Sequence, residues 1–129
     1  MMPYTAENMC FACGKANKIG LKLDFKEHEG GVLAEFVPNE YHQGYPGITH
    51  GGIVITLLDE AIAWACRIRG YDAFTAHLEV RFRNPLKIGE RVQIYGKVVK
   101  EKGRLAIGEA VVKAGERIIA EAKGKFIRR

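Results

Sequence analysis

Apolar and polar residues alternate with a period of two along most of this chain. Leu21, Leu23 and Phe25 are separated by Lys22, Asp24 and Lys26, the pattern of a strand with one covered face. Gly30-Gly31 interrupts the pattern and residues 32–37 resume it, which predicts two strands joined by a tight turn. Residues 38–49 are rich in Gly, Pro, Asn and His and read as a loop. The period then changes. After Gly51-Gly52 neither Gly nor Pro occurs until Gly70, and good helix formers are frequent. This predicts a helix over 51–69, ~28 Å long at 1.5 Å per residue, with Gly70 placed to end it. Ile53, Val54, Leu57, Leu58, Ala61, Ile62, Trp64 and Ala65 lie almost all round it, so it is expected to be buried.

The alternation returns after the helix. Phe74, Ala76, Leu78, Val80 and Phe82 alternate with Thr75, His77, Glu79, Arg81 and Arg83 before Asn84-Pro85 ends the run. On this phase Thr75 belongs to the polar face with Arg81 and Arg83. Further strands are expected at 92–100, 105–113 and 117–127, separated by short turns. Two strands, one long helix and four strands give an α+β chain: one antiparallel sheet wrapped around one central helix. Edge strands left by such a sheet invite pairing with a second copy. At 129 residues, with no internal repeat or linker, a single domain is expected.

Composition narrows the class. Apolar residues make 47% and charged residues 27%, ordinary values that exclude wholesale disorder, collagen and coiled coil. Glycine is high, 15 residues of 129, which points to tight turns or close backbone approaches. The net charge of +5 favours anionic partners. No zinc finger, helix-turn-helix signal or aromatic RNA platform accompanies it, so no nucleic-acid partner is expected. The most apolar stretch, 53–68, is broken by Asp59, Glu60 and Arg67, and no membrane partner is expected. The start, Met1 to Thr5, lacks the charged-then-apolar pattern of a leader. With three cysteines, this reads as a reducing, cytoplasmic location.

The segment His42-Gln43-Gly44-Tyr45-Pro46-Gly47-Ile48-Thr49-His50-Gly51-Gly52 runs straight into the predicted helix. The first amides of a helix lack internal partners and carry the positive end of its dipole. They suit a carbonyl oxygen gaining negative charge. Asp59 follows Gly52 by seven residues, inside the most apolar element of the chain, where a carboxylate costs free energy unless paired or facing a cavity. Its neighbour Glu60 is one position, ~100°, round the helix and is expected to be exposed or paired with a base. Cys10-x-x-Cys13 lies in an N-terminal extension, 1–19. A structural zinc site wants four ligands, and no second pair completes the set, so no metal ligand is assigned.

The run His50-Gly51-Gly52, six residues, then Asp59-Glu60-Ala61 resembles the signature of hotdog-fold acyl-CoA thioesterases of the phenylacetate-degradation (PaaI-like) type. The preceding Gly44-x-Pro46-Gly47, the later Asn84-Pro85-Leu86-Lys87-x-Gly89-Glu90 and the opening Cys10-x-x-Cys13-Gly14 with Gly20-Leu21-x-Leu23 extend the likeness over roughly the whole chain. The resemblance implies the hotdog fold and hydrolysis of an acyl-CoA, aryl or medium-chain among the candidates, to free acid and coenzyme A. It implies Asp59 as nucleophile or as base for water, the Gly52 amide as carbonyl polariser, and Thr75 as a water-positioning hydroxyl, with His50 beside them. It also implies a homodimer or homotetramer in which Asp59 of one chain faces Gly52 of the other. Gly51, Gln43 and Gly44 are placed near substrate, and Arg81, Arg83 and Lys87 near the phosphates of coenzyme A. No cofactor is required beyond the coenzyme A of the substrate. One position departs: several relatives carry Asn where this chain has Gly44, and Gln43 or His42 is the substitute at hand. A hotdog hydratase or dehydratase, which would bring a His and an acid together on the substrate, and a non-catalytic acyl-CoA-binding module are the competing functions.

Overall fold

Residues 8–129 are described in the computed structural model. The opening residues on which the missing leader was read lie outside them. Two short strands come first, β1 (Lys26–His28) and β2 (Gly31–Phe36). A single 3-10 turn, Glu40–His42, precedes the helix α1 (Gly51–Arg67). Four long strands follow: β3 (Ala73–Phe82), β4 (Val92–Lys102), β5 (Leu105–Ala114) and β6 (Arg117–Arg128). All pairings are antiparallel, and the strands form one sheet in the order β1-β2-β4-β5-β6-β3. The helix packs on one face of that sheet, the α+β architecture the sequence predicts. No helix among the described residues is long and apolar enough to cross a membrane.

Two expectations change. Leu21, Leu23 and Phe25 are buried, but they precede the first strand. Their segment is hydrogen-bonded to the N-terminal loop: Leu21 N–H donates to the Phe11 carbonyl and Leu23 N–H to that of Ala12, both at 2.9 Å. Lys22 between them has a φ of 56°, which no regular strand allows. The alternation there records which side chains enter the core, not a sheet ladder. The helix, apolar nearly all round, is buried on one side only, through Val54, Leu57, Leu58, Ala61, Ile62, Ala65 and Cys66. Its other side, with Ile53, Ile55, Thr56 and Asp59, is partly open. It also ends at Arg67. Just beyond, Arg69 grips Glu101 of β4 through Nε and Nη2 at 2.8 and 2.7 Å, and the Tyr71 hydroxyl donates to the same carboxylate.

Glycine decides how closely helix and sheet approach. A Cβ on Gly96 of β4 would lie 2.6 Å from the carbonyl oxygen of Ala61 in α1. One on Gly108 of β5 would overlap the Ile62 side chain, and one on Gly124 of β6 would come within 2.8 Å of the Phe126 ring. The register puts Gly96 beside Ala110 and Gly108 beside Gly124. The helix backbone therefore meets the sheet directly at Gly96, and the room left at Gly108 and Gly124 is filled by the side chain of Ile62 with those of Phe126 and Leu78. Replacing Gly96 by Ala sets a methyl against rigid main chain. The expected loss is about 2 kcal/mol of unfolding free energy, with an unchanged denaturant slope, measured by urea titration.

The edge strand β3 carries a bulge. Thr75 pairs with Phe126 and His77 with Lys125, leaving Ala76 as an extra residue. Because side chains alternate between faces, one inserted residue reverses the phase. After the bulge, Leu78 and Val80 sit opposite Gly124 and Ala122 on the helix side. Before it, Thr75 is on that same side, opposite the fully buried Phe126, and Phe74 is turned outward at 64% exposure. Simple alternation placed Thr75 with the arginines; the bulge moves it to the helix.

Candidate active site

The loop before α1 is held in place by backbone hydrogen bonds and by its own side chains. Asn39 caps the 3-10 turn: its Oδ1 accepts from Tyr41 N–H, and its own N–H donates to His42 Nδ1, both at 2.9 Å. Burial pushes the His42 imidazole below its ordinary range, which keeps that acceptor neutral. Gln43 Oε1 accepts from Gly47 N–H at 2.6 Å and its Nε2 donates to the Glu40 carbonyl. Gln43 thus braces the loop through both ends of its amide. At Gly44 a Cβ would come 3.2 Å from the Cα of His50, so the loop folds tightly against the helix start. Thr49 N–H donates to the Leu86 carbonyl at 2.8 Å, and an isolated bridge joins Ile48 to Lys87. These bonds bring the exposed Lys87 beside the same loop.

His50 is the N-cap of α1. Its Nδ1 accepts from Gly52 N–H at 2.8 Å, and its own N–H donates to the His42 carbonyl. The His50 ring thus takes up the Gly52 amide, the group that the sequence reading gave to the thioester carbonyl. Ile53 N–H also donates backward, to the His50 carbonyl at 2.9 Å. The Gly51 amide, first in the helix, has no acceptor among the described residues.

Two turns further on, Asp59 is half-buried on the open side of α1. Thr75 Oγ1 donates to Asp59 Oδ1 at 2.6 Å. The structure thus joins two residues that plain alternation kept apart. Gly51 and Asp59 lie eight residues apart on one helix, ~12 Å at 1.5 Å per residue.

Arg81 and Arg83 do not join this group. Register sets Arg81 opposite Glu121, and Arg83 pairs with the Glu121 carboxylate at 2.6 Å. Both line a trough of about 800 Å³ with Glu79, Lys97, Lys113 and Lys123. These residues point away from α1, on the sheet face opposite Asp59. Of the three bases assigned to coenzyme A, only Lys87 lies on the loop side.

Glu60 departs from its expected setting. It is half-buried, and its Oε2 accepts from Trp64 Nε1 at 3.1 Å and from Cys10 Sγ at 3.9 Å. No base pairs with it among the described residues. Burial first, then hydrogen bonding to Glu60, pushes the Cys13 thiol well above its usual range. Spacing alone did not signal this meeting of Glu60 with Cys10 and Cys13, because some 50 residues separate them.

The model of the thioesterase superfamily matches residues 46–121, more than half of the chain, including the end of the loop and the whole of α1. The chain belongs to the thioesterase superfamily. Among curated superfamily members, acyl-coenzyme A thioesterase THEM4 of Xenopus laevis is 29% identical over 106 residues, 81% of this chain and 48% of that protein. The chain spans about half the length of that relative. The fold is that of the PaaI protein of the E. coli phenylacetic acid degradation operon, with a TM-score of 0.81, 22% identity and coverage of 95% of this chain and 91% of that one. The smu.793 protein of Streptococcus mutans, solved bound to acetyl CoA, matches with a TM-score of 0.77 and 22% identity over 83% of this chain and 88% of that one. The hotdog architecture implied by the sequence is thereby the observed one.

The capping role of His50 in this superfamily member gives a stability prediction. Replacing His50 by Ala removes the acceptor for Gly52 N–H and is expected to cost about 1 kcal/mol, whereas Asn, a preferred cap, retains most of the stability. Chemical denaturation of the two variants measures the difference.

Proposed function

We propose that this chain is an acyl-CoA thioesterase, cleaving an acyl-CoA with water to a free carboxylic acid and coenzyme A, at sites built between two copies of the chain. The observation that carries the reading is the Thr75–Asp59 hydrogen bond on the open side of α1. A hydroxyl fixes one carboxylate oxygen and leaves the other directed away from it, the arrangement of an oriented nucleophile or general base. The Gly51 amide, at the positive end of the helix dipole, is the donor available for the thioester carbonyl. Membership of the superfamily supports the same chemistry, as do a relative named an acyl-CoA thioesterase and a fold neighbour bound to acetyl CoA.

The distance between the two groups supports a second copy. Reacting atoms must approach to ~3–3.5 Å, and one helix holds its Gly51 amide and Asp59 carboxylate ~12 Å apart. One chain cannot present both to a single carbonyl. Two antiparallel helices can, with Gly51 of one chain opposite Asp59 of the other. The surface for such pairing is present: the outer edge of β3 has no strand partner among the described residues, and Ile55 and Phe82 are exposed beside it. Dimer or tetramer, the reacting unit is the pair.

In the reaction, the Gly51 amide stabilises the oxygen of the attacked carbonyl. Asp59 of the other chain takes a proton from water as the water oxygen adds to the carbonyl carbon, or its carboxylate adds there to form an anhydride that water then opens. The C–S bond breaks, the proton taken from water passes to the departing sulfur, and coenzyme A leaves as the thiol and the acyl group as the acid. Thr75 holds the carboxylate in line, and Lys87 faces the phosphates of coenzyme A. This chemistry needs no redox group.

Thiol release from short, long and aryl acyl-CoAs tests the proposal and identifies the acyl class. Wild type is expected to turn over. Asp59→Asn should lose ~10²–10⁴-fold in kcat, and Thr75→Val ~10-fold or more. No release from any ester, with esters still bound, would make the chain a binding module. Gly51→Pro tests the amide directly. Proline is favoured at the first helical position, the preceding His50 has an extended ψ of 136°, and a Cβ at Gly51 meets nothing nearer than Phe82 at 3.7 Å. The helix should survive while kcat falls ~10²–10³-fold. Co-expressed with Asp59→Asn, the Gly51→Pro chain should regain activity, because each hybrid pair contains one intact site. Failure of the mixture to recover would overturn the two-chain arrangement.

A further inference from the structure

We infer that Cys10, Cys13 and Glu60 form a binding site for a thiophilic divalent cation of the Zn²⁺ type, pinning the N-terminal loop to the catalytic helix. The ligand atoms of the three residues lie within 4.8 Å of one another. A tetrahedral zinc, with ~2.3 Å to sulfur and ~2.0 Å to oxygen, separates such atoms by roughly 3.5–3.8 Å. The gap to close is about an ångström.

The loop around the cysteines has the build of a metal knuckle. Cys13 N–H donates to Cys10 Sγ at 3.4 Å, and Gly14 N–H to the Cys10 carbonyl at 2.8 Å. Gly14 is required by this fold of the chain: a Cβ there would overlap the backbone of Asn8 and Cys10. The loop is also fixed from outside. Ala12 is buried, and the Phe11 and Ala12 carbonyls accept from Leu21 and Leu23. The two sulfurs are thus presented side by side by a rigid turn, which limits the ordering cost of metal binding.

The third ligand comes from α1. Glu60 is half-buried, with no basic residue paired to it among the described residues. Trp64 Nε1 donates to its Oε2 at 3.1 Å, an outer-shell contact that orients a ligating carboxylate. Two thiols and a carboxylate gathered without a cation make a site for positive charge. Thiolates select zinc-type ions over magnesium or calcium. Binding would displace both thiol protons, leave a complex of net charge −1, and keep the fourth position for water. Because Glu60 follows Asp59 in sequence, the ion would also steady the helical turn that carries the catalytic carboxylate. The inference does not depend on the thioesterase reading.

The test uses the full chain purified under reducing conditions without chelator. Elemental analysis should find about one zinc per chain. Replacement by Co²⁺ should give the near-ultraviolet charge-transfer band of cobalt–thiolate bonds, with release of about two protons per ion. Cys10→Ser and Cys13→Ser should abolish that band, Glu60→Gln should weaken binding roughly tenfold or more, and Cys66→Ser should leave it intact. Chelation should lower the Tm of the wild type by ~5 °C and leave that of Cys13→Ser unmoved. The wild-type cobalt titration keeps the test valid even if a variant fails to fold. Absence of both zinc and the cobalt band in protein with all three thiols titratable would overturn the inference. So would a chain lacking metal and two titratable thiols, which would make the pair a disulfide.

Discussion

The close seating of α1 on the sheet is the constraint on which the rest of the structure depends. Gly96, Gly108 and Gly124, flanked by Ala110 and Ala122, clear a patch where the Ala61 backbone meets Gly96 and the Ile62 side chain packs against Gly108 and Gly124. Dense packing of this kind maximises dispersion and excludes water, but it accepts only one helix position. Leu57, Leu58, Ala61 and Ile62 become fully buried as a result. The rotation of the helix is then no longer free, and the direction in which Asp59 points is fixed by glycines on three strands.

From that rotation follows the division of the helix into two sides. One side belongs to the core. The other carries Ile55, Thr56 and Asp59 and stays partly open. The bulge at Ala76 completes the arrangement on the strand side by bringing Thr75 to face Asp59. A hydrogen bond from a hydroxyl to a half-buried carboxylate compensates part of the solvation that the carboxylate has lost. The helix start supplies the complementary chemistry, an amide directed outward, two turns away on the same rigid rod. In the proposed mechanism a rod with a donor at one end and a carboxylate two turns on works only when a second rod lies against it in the opposite sense, which would couple assembly to activity through simple length.

The N-terminal segment has a different physical basis. Leu21, Leu23 and Phe25 insert into the core without joining the sheet, and their backbone groups are satisfied by the loop that carries Cys10 and Cys13. That loop in turn meets Glu60 of α1, whose carboxylate Trp64 also holds. The two ends of the same helix turn therefore face two chemistries: a hydroxyl-held carboxylate at Asp59 and a thiol-facing carboxylate at Glu60.

The sequence by itself determined the element order, the helix and the motif that names the superfamily. Period and punctuation are local properties, and His50-Gly51-Gly52 with Asp59 is contiguous enough to read directly. Tertiary structure alone decided four matters, each for want of a local signal. A bulge adds one residue to one strand, and the unbroken alternation from Phe74 to Phe82 gives no sign of it, so alternation puts Thr75 on the polar face, while Arg81 and Arg83 keep the face that alternation assigns them. Half of the packing contact made by Gly96, Gly108 and Gly124 lies on a helix distant in sequence. The choice between the adjacent amides of Gly51 and Gly52 turns on where the His50 ring rests. The meeting of Glu60 with Cys10 and Cys13 spans some 50 residues of chain and exists only because the glycine patch holds α1 at one rotation.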